Sequence, residues 1–103
     1  TNARYSKNKK FAIILGEGNK NLKVVSLDSK YPNREWDKNI QLNSYKWYDE
    51  KFLIYSIKNK GIYVYNAETA ETSTIVEGDE EFTFDKLENN TLTYDTNKEI
   101  KFN

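Results

Sequence analysis

The stretch WYDEKFLIYSIKNKGIYVYN, from Trp47 to Asn66, contains two apolar runs, Phe52–Ile57 and Ile62–Tyr65. Both runs are rich in aromatic and β-branched residues, which favour strands. The segment between them, Lys58–Gly61, includes Asn and Gly, which accept the positive φ angles that a tight turn needs. The stretch therefore predicts a β-hairpin.

The same pattern recurs along the chain at a spacing of about 38 residues. Each copy closes on a polar residue that follows an apolar strand, and these residues are Asp28, Asn66 and Asn103. Upstream, each copy has an aromatic residue before a polar turn, and these aromatic residues are Tyr5, Trp47 and Phe84. Gly and Asn interrupt the chain at short intervals and no long segment keeps a helical period, which indicates an all-β fold.

The repetition predicts an all-β, antiparallel domain of about three units of ~38–41 residues, at residues 3–43, 44–80 and 81–103. In the first unit, the weak alternation of Ile40 and Leu42 indicates the outer, fourth strand. In the second unit, the β-branched segment Thr72–Val76 takes that place. The third unit begins with a strand over Phe82–Phe84 and ends at Asn103 without an outer strand.

The order of elements in each unit resembles the blades of β-propellers, in particular WD40-like and TolB-like repeats, over nearly the whole chain. The resemblance implies four-stranded antiparallel sheets, although the GH and WD dipeptides are absent. Closed propellers need about four to eight blades. The units therefore imply a piece of a longer propeller, a homodimer that completes a ring, or a compact array that is not a propeller.

The composition excludes several kinds of chemistry. The 103 residues include no Cys, His or Met, so thiolate nucleophiles, imidazole bases and the usual zinc ligands are absent. We predict no catalytic residues, no metal and no other cofactor. The longest apolar run, Phe11–Leu15, is too short to cross a bilayer, so we predict no membrane insertion of this segment. The abundance of Lys, Asn, Ile and Tyr is typical of low-GC Gram-positive bacteria, and we favour a location in the cell envelope or outside the cell.

Two charged regions have a simple structural interpretation. The acidic run Glu77–Glu81 lacks the alternating carboxylate spacing of a calcium loop, so it predicts a solvated loop. Basic residues mixed with aromatic residues before residue 60 suit a nucleic-acid surface, but the formal net charge is +0. Trp47 and Tyr5 also stand at repeat positions that predict core aromatic residues. We therefore predict no nucleic-acid partner.

The residues that interrupt the repeat are the candidates for binding. Ser29–Asn39 is the longest irregular stretch, and its Tyr31, Arg34 and Trp36 are the predicted binding residues. Loops on a rigid scaffold often carry function. The Trp36 ring beside Arg34 suits a sugar face or a partner protein. A cap over the core at the end of a sheet is an equal alternative for Trp36.

These observations predict a non-enzymatic, propeller-like interaction module of a larger or oligomeric bacterial protein. The expected partner is another protein or a second copy of the same chain. Two alternatives stay open. One is a fragment of a larger propeller that serves as a scaffold to an enzyme, and the other is a carbohydrate-binding module.

Overall fold

The computed structural model describes residues 2–36 and 40–102, except for the side chain of Asn2. In these ranges the chain forms three antiparallel sheets of four, four and three strands. Sheet 1 contains β1 (Asn2–Tyr5), β2 (Phe11–Leu15), β3 (Lys23–Ser26) and β4 (Arg34–Glu35). Sheet 2 contains β5 (Ser44–Tyr48), β6 (Phe52–Ile57), β7 (Gly61–Asn66) and β8 (Thr72–Glu77). Sheet 3 contains β9 (Phe84–Glu88), β10 (Thr91–Tyr94) and β11 (Lys98–Lys101).

In every sheet the strands are neighbours in chain order, so each sheet is a meander. The prediction of an all-β chain in three antiparallel units, the last with three strands, is confirmed. A 3-10 turn, Glu17–Asn19, links β2 to β3. The described part of the chain contains no helix with the length and apolar character needed to span a membrane.

The hairpin β6–β7 forms as the opening stretch predicts, with Phe52 opposite Asn66 at one end and Ile57 opposite Gly61 at the turn. Asn59 adopts the left-handed conformation that the turn needs, with a φ of 61°. A Cβ atom at Gly61 would lie 2.5 Å from the carbonyl oxygen of Val76. Glycine is therefore required at this position, because it allows β8 to approach β7.

Sheet 2 lies between the other two sheets and is buried on both faces. On one face, Leu53 and Tyr55 pack with Phe11 and Ile13 of sheet 1. On the other face, Ile54 and Ile62 pack with a cluster that includes Phe82, Leu92 and Tyr94. Burying a Leu, Ile or Phe side chain stabilises the fold by about 1.5–3 kcal/mol. The continuous apolar run in β6 is explained by these two interfaces, because alternate residues enter opposite layers.

The predicted outer strand at Ile40–Leu42 is wrong. The outer strand of sheet 1 is the two-residue β4, in which Arg34 pairs with Val24 and Glu35 pairs with Lys23. Leu42 instead crosses between sheets and is 2% exposed in the first core cluster. Its apolar character therefore serves packing and not strand pairing.

The start of the third unit also differs from the prediction. Phe82 is not in a strand, since its φ of 58° is left-handed and β9 begins two residues later, at Phe84. Phe84 pairs with Tyr94, at the far end of β10 from the turn, whereas Leu87 pairs with Leu92. In sheet 2, Trp47 pairs with Leu53 near the corresponding turn. The structural counterpart of Trp47 is consequently Leu87, and the prediction of Phe84 for that position is wrong.

The two remaining repeat aromatics differ in their surroundings. Trp47 is half-buried, stacks on Phe11 at 6.4 Å between ring centroids, and donates its indole N–H to the Arg4 carbonyl oxygen at 2.9 Å. Tyr5 is 56% exposed, so its prediction as a core residue is wrong. It pairs with Ala12 on the face of sheet 1 that is turned away from sheet 2.

The polar residues that close the strands act through their side chains. Asp28 Oδ1 accepts the backbone N–H of Lys30 at 3.0 Å, and Asn66 Oδ1 accepts that of Glu68 at 2.9 Å. Each side chain thereby stabilises the turn that follows its strand. Asn103, the predicted third member of this set, lies outside the described residues.

Candidate functional site

Arg34 and Trp36 meet at a cleft between the outer strand of sheet 1 and the outer half of sheet 2. The backbone N–H of Trp36 donates to the Leu22 carbonyl oxygen at 3.0 Å, which extends the pairing of β3 and β4 by one residue. The indole ring packs on Tyr55, with centroids 5.0 Å apart, and meets Tyr65 edge-on at 4.9 Å. Trp36 therefore closes one end of the core and forms a wall of the cleft.

The cleft has a volume of about 290 Å³. This is close to the lower limit for pockets that bind small molecules, and it is large enough for one side chain or one small ring. Its walls combine aromatic, charged and small residues: Arg34, Glu35, Trp36, Ile40, Tyr55, Tyr65, Ala70 and Thr72.

Two buried polar atoms of the cleft residues have no hydrogen-bond partner among the described residues. They are Arg34 Nη1 and Tyr65 Oη. The second guanidinium nitrogen, Arg34 Nη2, donates to the Glu68 carbonyl oxygen at 3.4 Å. Tyr65 is only 3% exposed. An unpaired buried polar group costs about 1–3 kcal/mol, so a water molecule or a polar group of a ligand would stabilise these atoms.

One aromatic wall of the cleft, Tyr55, is buried. Burial raises the pKa of Tyr55, and the hydrogen bond with the Thr72 side chain opposes only part of that rise. In such surroundings a hydrogen bond between a guanidinium and a carboxylate is stronger than in water. An arginine with an unpaired donor nitrogen, in a cleft that a tyrosine also lines, is suited to bind a carboxylate group.

Glu35, the acidic residue among the walls of the cleft, has its carboxylate engaged elsewhere. Glu35 shares a sheet face with Lys23 and forms an exposed ion pair with it at 3.9 Å. In the described ranges, no three Asp or Glu residues stand close enough together to hold a metal ion. Among the described residues that line the cleft, the buried polar atoms without a partner are those of Arg34 and Tyr65.

The third predicted binding residue, Tyr31, lies elsewhere. Its ring packs on Phe11 with centroids 5.5 Å apart, and Lys30 Nζ lies 5.5 Å from the centre of the Tyr31 ring. The structure therefore brings together Arg34 and Trp36 but leaves Tyr31 at the edge of the first core cluster. The remainder of the predicted loop, residues 37–39, lies outside the described part of the chain.

A second concavity was not predicted from the sequence. It runs along the first strands of the three sheets and has a volume of about 590 Å³. We call it the first-strand groove, and its walls are Arg4, Tyr5, Lys7, Tyr45, Lys46, Trp47, Asp49 and Leu87. The mixture of cationic and aromatic residues would attract anions. Among the described residues, the buried polar atoms that lack partners lie outside its walls, so the cleft at Arg34 is the stronger candidate.

Two of the four acidic residues in the run Glu77–Glu81 form ion pairs. Glu80 pairs with Lys98, and Glu81 Oε1 lies 3.3 Å from Lys58 Nζ. Both pairs are at least one-third exposed, so they contribute little to stability.

Comparison with family models, with curated proteins and with solved structures finds no match to this chain.

Proposed function

We propose that the chain is a non-enzymatic, propeller-like interaction module, and that the cleft at Arg34 and Trp36 binds a carboxylate of a protein partner. The observation that carries the proposal is the pair of unpartnered buried donors, Arg34 Nη1 and Tyr65 Oη, beside an aromatic wall. The parent protein is larger or oligomeric. Residue usage alone supports the bacterial cell envelope or exterior as its location.

The arrangement of the sheets supports the propeller-like part of the proposal. Three meanders follow one another in chain order, and sheets 2 and 3 each pack one face on the sheet before them. Residues of β1, β5 and β9 line the first-strand groove together. The first strands of propeller blades likewise lie side by side around a central channel.

The choice of a carboxylate follows from the chemistry of the donors. Arginine binds planar carboxylates with directed hydrogen bonds, and a tyrosine hydroxyl can donate to the same oxygen atoms. A protein partner supplies this group as an Asp or Glu side chain or as a chain terminus. Trp36 then provides apolar contact area next to the charge, as tryptophan often does at the centre of interfaces.

The test uses short peptides that end in a free carboxylate and the same peptides with an amidated end. Binding is followed by the NMR signal of the Trp36 indole N–H, with that of Trp47 as an internal reference. We expect the acid form to shift the Trp36 signal and the amide form to leave it unchanged. Arg34→Gln and Tyr65→Phe should each weaken binding roughly ten- to hundredfold, the equivalent of about 1.5–3 kcal/mol for a charged hydrogen bond.

Arg4→Gln in the first-strand groove is the matched control, because it also removes one arginine charge. If the Trp47 signal responds, or if Arg4→Gln weakens binding as much as Arg34→Gln, then the ligand occupies the groove and the assignment of the cleft is wrong. Equal binding of acid and amide peptides would contradict the proposal that the cleft binds a carboxylate.

Carbohydrate binding is the second candidate, since the half-buried Trp36 ring lines the cleft together with two tyrosines. A neutral oligosaccharide that shifts the Trp36 signal equally in the parent chain and in Arg34→Gln would favour it. A role as scaffold to an enzyme predicts no response of either tryptophan to peptides or sugars.

A further inference from the structure

The outer strand of sheet 2, β8, borders the cleft at Arg34. Thr72, the first residue of β8, is one of the cleft walls, and its side chain hydrogen-bonds with that of Tyr55. On one side β8 pairs with β7, and on its other side it has no neighbouring strand in the described part of the chain. The free edge of β8 therefore begins where the cleft lies.

The backbone of β8 presents two residues to this free edge. In an antiparallel pair of strands, residues that exchange hydrogen bonds alternate with residues whose N–H and C=O groups point away from the partner strand. The Asn66 N–H donates to the Glu71 carbonyl oxygen at 2.9 Å, so the bonded positions on the outer strand are Glu71 and Ser73. The N–H and C=O groups of Thr72 and Thr74 consequently point outwards. Among the described residues, neither threonine has a backbone bond outside sheet 2.

This edge has little of the usual protection against pairing with another strand. Edge strands are commonly blocked by charged residues, by proline or by a bulge. Residues 72–76 of β8, TSTIV, include neither a charged residue nor proline. A register shift in the pairing with β7 leaves Ile75 as the extra residue of a bulge, so the regular part of the edge is Thr72–Thr74. The edge can thus accept a short strand, at the end next to the cleft.

A turn closes this end of the edge. Asn66 holds the turn, since its carbonyl oxygen accepts the Ala70 N–H at 2.7 Å and its Oδ1 accepts the Glu68 N–H at 2.9 Å. Ala70 has a φ of 67° and lines the cleft together with Thr72. A strand that lies along Thr74 and Thr72 therefore reaches the cleft, and a chain that continued further would meet the turn. The cleft volume of about 290 Å³ suits the end of a chain.

We propose that the ligand of the cleft is the C-terminal end of a partner protein, which adds to β8 as a short antiparallel strand. This inference rests on the proposed function, because the terminal carboxylate is the group that Arg34 Nη1 and Tyr65 Oη bind. A C-terminus at Thr72 fixes the direction of the added strand, since the residues before it then run from Thr74 towards Thr72, opposite to β8. Addition of a strand to a free sheet edge and capture of a chain terminus are both general modes of peptide binding. The backbone bonds contribute affinity for many sequences, and the charge of Arg34 selects the carboxylate.

The first test moves the carboxylate from the end of the peptide to a side chain. One probe is a short neutral peptide with a free C-terminus, and the other has the same sequence with a final Asp and an amidated end. We expect the free C-terminus to shift the NMR signal of the Trp36 indole N–H and to slow hydrogen exchange at the backbone amides of Thr72 and Thr74. The amide of Ser73, which is already bonded within sheet 2, is the internal control. The amidated Asp peptide should bind roughly tenfold more weakly, and equal binding of the two peptides would overturn the chain terminus as the ligand.

The second test removes single hydrogen bonds of the added strand. Only alternate residues of an added strand bond to β8, so methylation of one peptide nitrogen should weaken binding roughly two- to tenfold, and methylation of the next nitrogen should have little effect. On the protein, Thr74→Pro removes an outward N–H at a position where edge strands tolerate proline, and it should weaken binding to a similar degree. Thr74→Ala keeps this N–H and is the matched control. Circular dichroism verifies the fold of both variants, and the methylated peptides decide the question if Thr74→Pro does not fold.

The outcomes separate this inference from the proposed function. If the free C-terminus shifts the Trp36 signal but hydrogen exchange at Thr72 and Thr74 is unchanged and methylation has no alternating effect, then strand addition is wrong and carboxylate binding in the cleft stands. If no peptide shifts the Trp36 signal, both proposals are wrong. Slower exchange at Thr72 and Thr74 without a shift of the Trp36 signal would place the peptide on the edge but outside the cleft, which would contradict the capture of a chain terminus by Arg34.

Discussion

The carboxylate of Asp95 holds Phe82 in a left-handed conformation. Its two oxygens accept the backbone N–H groups of Phe82 at 3.1 Å and of Thr83 at 2.8 Å. The Phe82 carbonyl oxygen accepts the hydroxyl of Ser56 at 2.8 Å. A bulky residue rarely adopts a φ of 58°, and the ring of Phe82 is fully buried in the second core cluster. These bonds fix the loop that places the Phe82 ring between sheets 2 and 3.

Asp95→Asn should destabilise the fold. An amide can accept one of the two N–H groups with its oxygen, but its NH2 group cannot accept the other, so one hydrogen bond to a charged acceptor is lost. We expect a loss of about 1–3 kcal/mol in the free energy of unfolding, measured with urea. Asp85→Asn is the matched control, because Asp85 is exposed and accepts a single backbone bond, from Thr96. Equal losses of unfolding free energy for both variants would show that the Asp95 bonds to the Phe82 loop stabilise the fold no more than the single bond of Asp85.

Ser56→Ala should be costly although it removes a single atom. The hydroxyl of this fully buried residue donates to the Phe82 carbonyl oxygen and accepts the N–H of Ser44 at 3.1 Å. Both backbone groups would lose a partner, so we expect a loss of about 1–3 kcal/mol in thermal or urea unfolding. Ser73→Ala, on the exposed strand β8, should change stability by less than about 0.5 kcal/mol. A neutral effect of Ser56→Ala would mean that water replaces the hydroxyl.

Tyr65→Phe should not lower the free energy of unfolding, in contrast to the two substitutions above. Its hydroxyl is buried without a partner among the described residues, so the substitution removes an unsatisfied group and keeps the ring that contacts Trp36. We expect unchanged or increased stability, by up to about 1 kcal/mol. Together with weaker peptide binding, this would separate a role in binding from a role in folding. A clear loss of stability would show that the hydroxyl has a partner in solution.

Alkaline pH should unfold the protein partly through Tyr55 and Tyr63. Burial raises the pKa of both phenols, and the charge of Glu77 adds to the rise at Tyr63. The unfolded chain releases these protons at about pH 10, before the folded chain does. The stabilisation is therefore complete below about pH 10 and is lost as the pH rises through the pKa of the folded state. In the double variant Tyr55→Phe, Tyr63→Phe, unfolding curves should depend less on pH above this value, and an unchanged dependence would contradict the assignment.

Much of the fold could be predicted because the strands are bounded by local signals. β2 and β6 are apolar runs between polar turns, and their predicted limits agree with the structure. β4 has no such pattern, because Arg34 and Glu35 are extended only through their pairing with β3. Phe82 was misplaced for a related reason. Its alternation with Phe84 is typical of a strand, but the carboxylate that turns the backbone belongs to Asp95, on the far side of β10.

The candidate site was predictable only in part. Arg34 and Trp36 were found because they interrupt the repeat. Tyr55 and Tyr65 belong to the repeat and were expected to be ordinary strand residues. The packing of sheet 1 on sheet 2 decides which tyrosine hydroxyl lacks a hydrogen-bond partner. No sequence pattern predicts that packing. The same is true of the first-strand groove, whose walls come from all three sheets.

The meander topology has a consequence for the order of folding. Every strand pairs only with its neighbours in the chain, so each sheet closes short loops, at a small entropic cost. All-β proteins fold slowly mainly when their strand pairs are distant in sequence. Here the contacts that join distant parts of the chain are those between sheets. During synthesis on the ribosome, each sheet can pair its own strands as soon as it has emerged, and it needs the next sheet only to cover its apolar face.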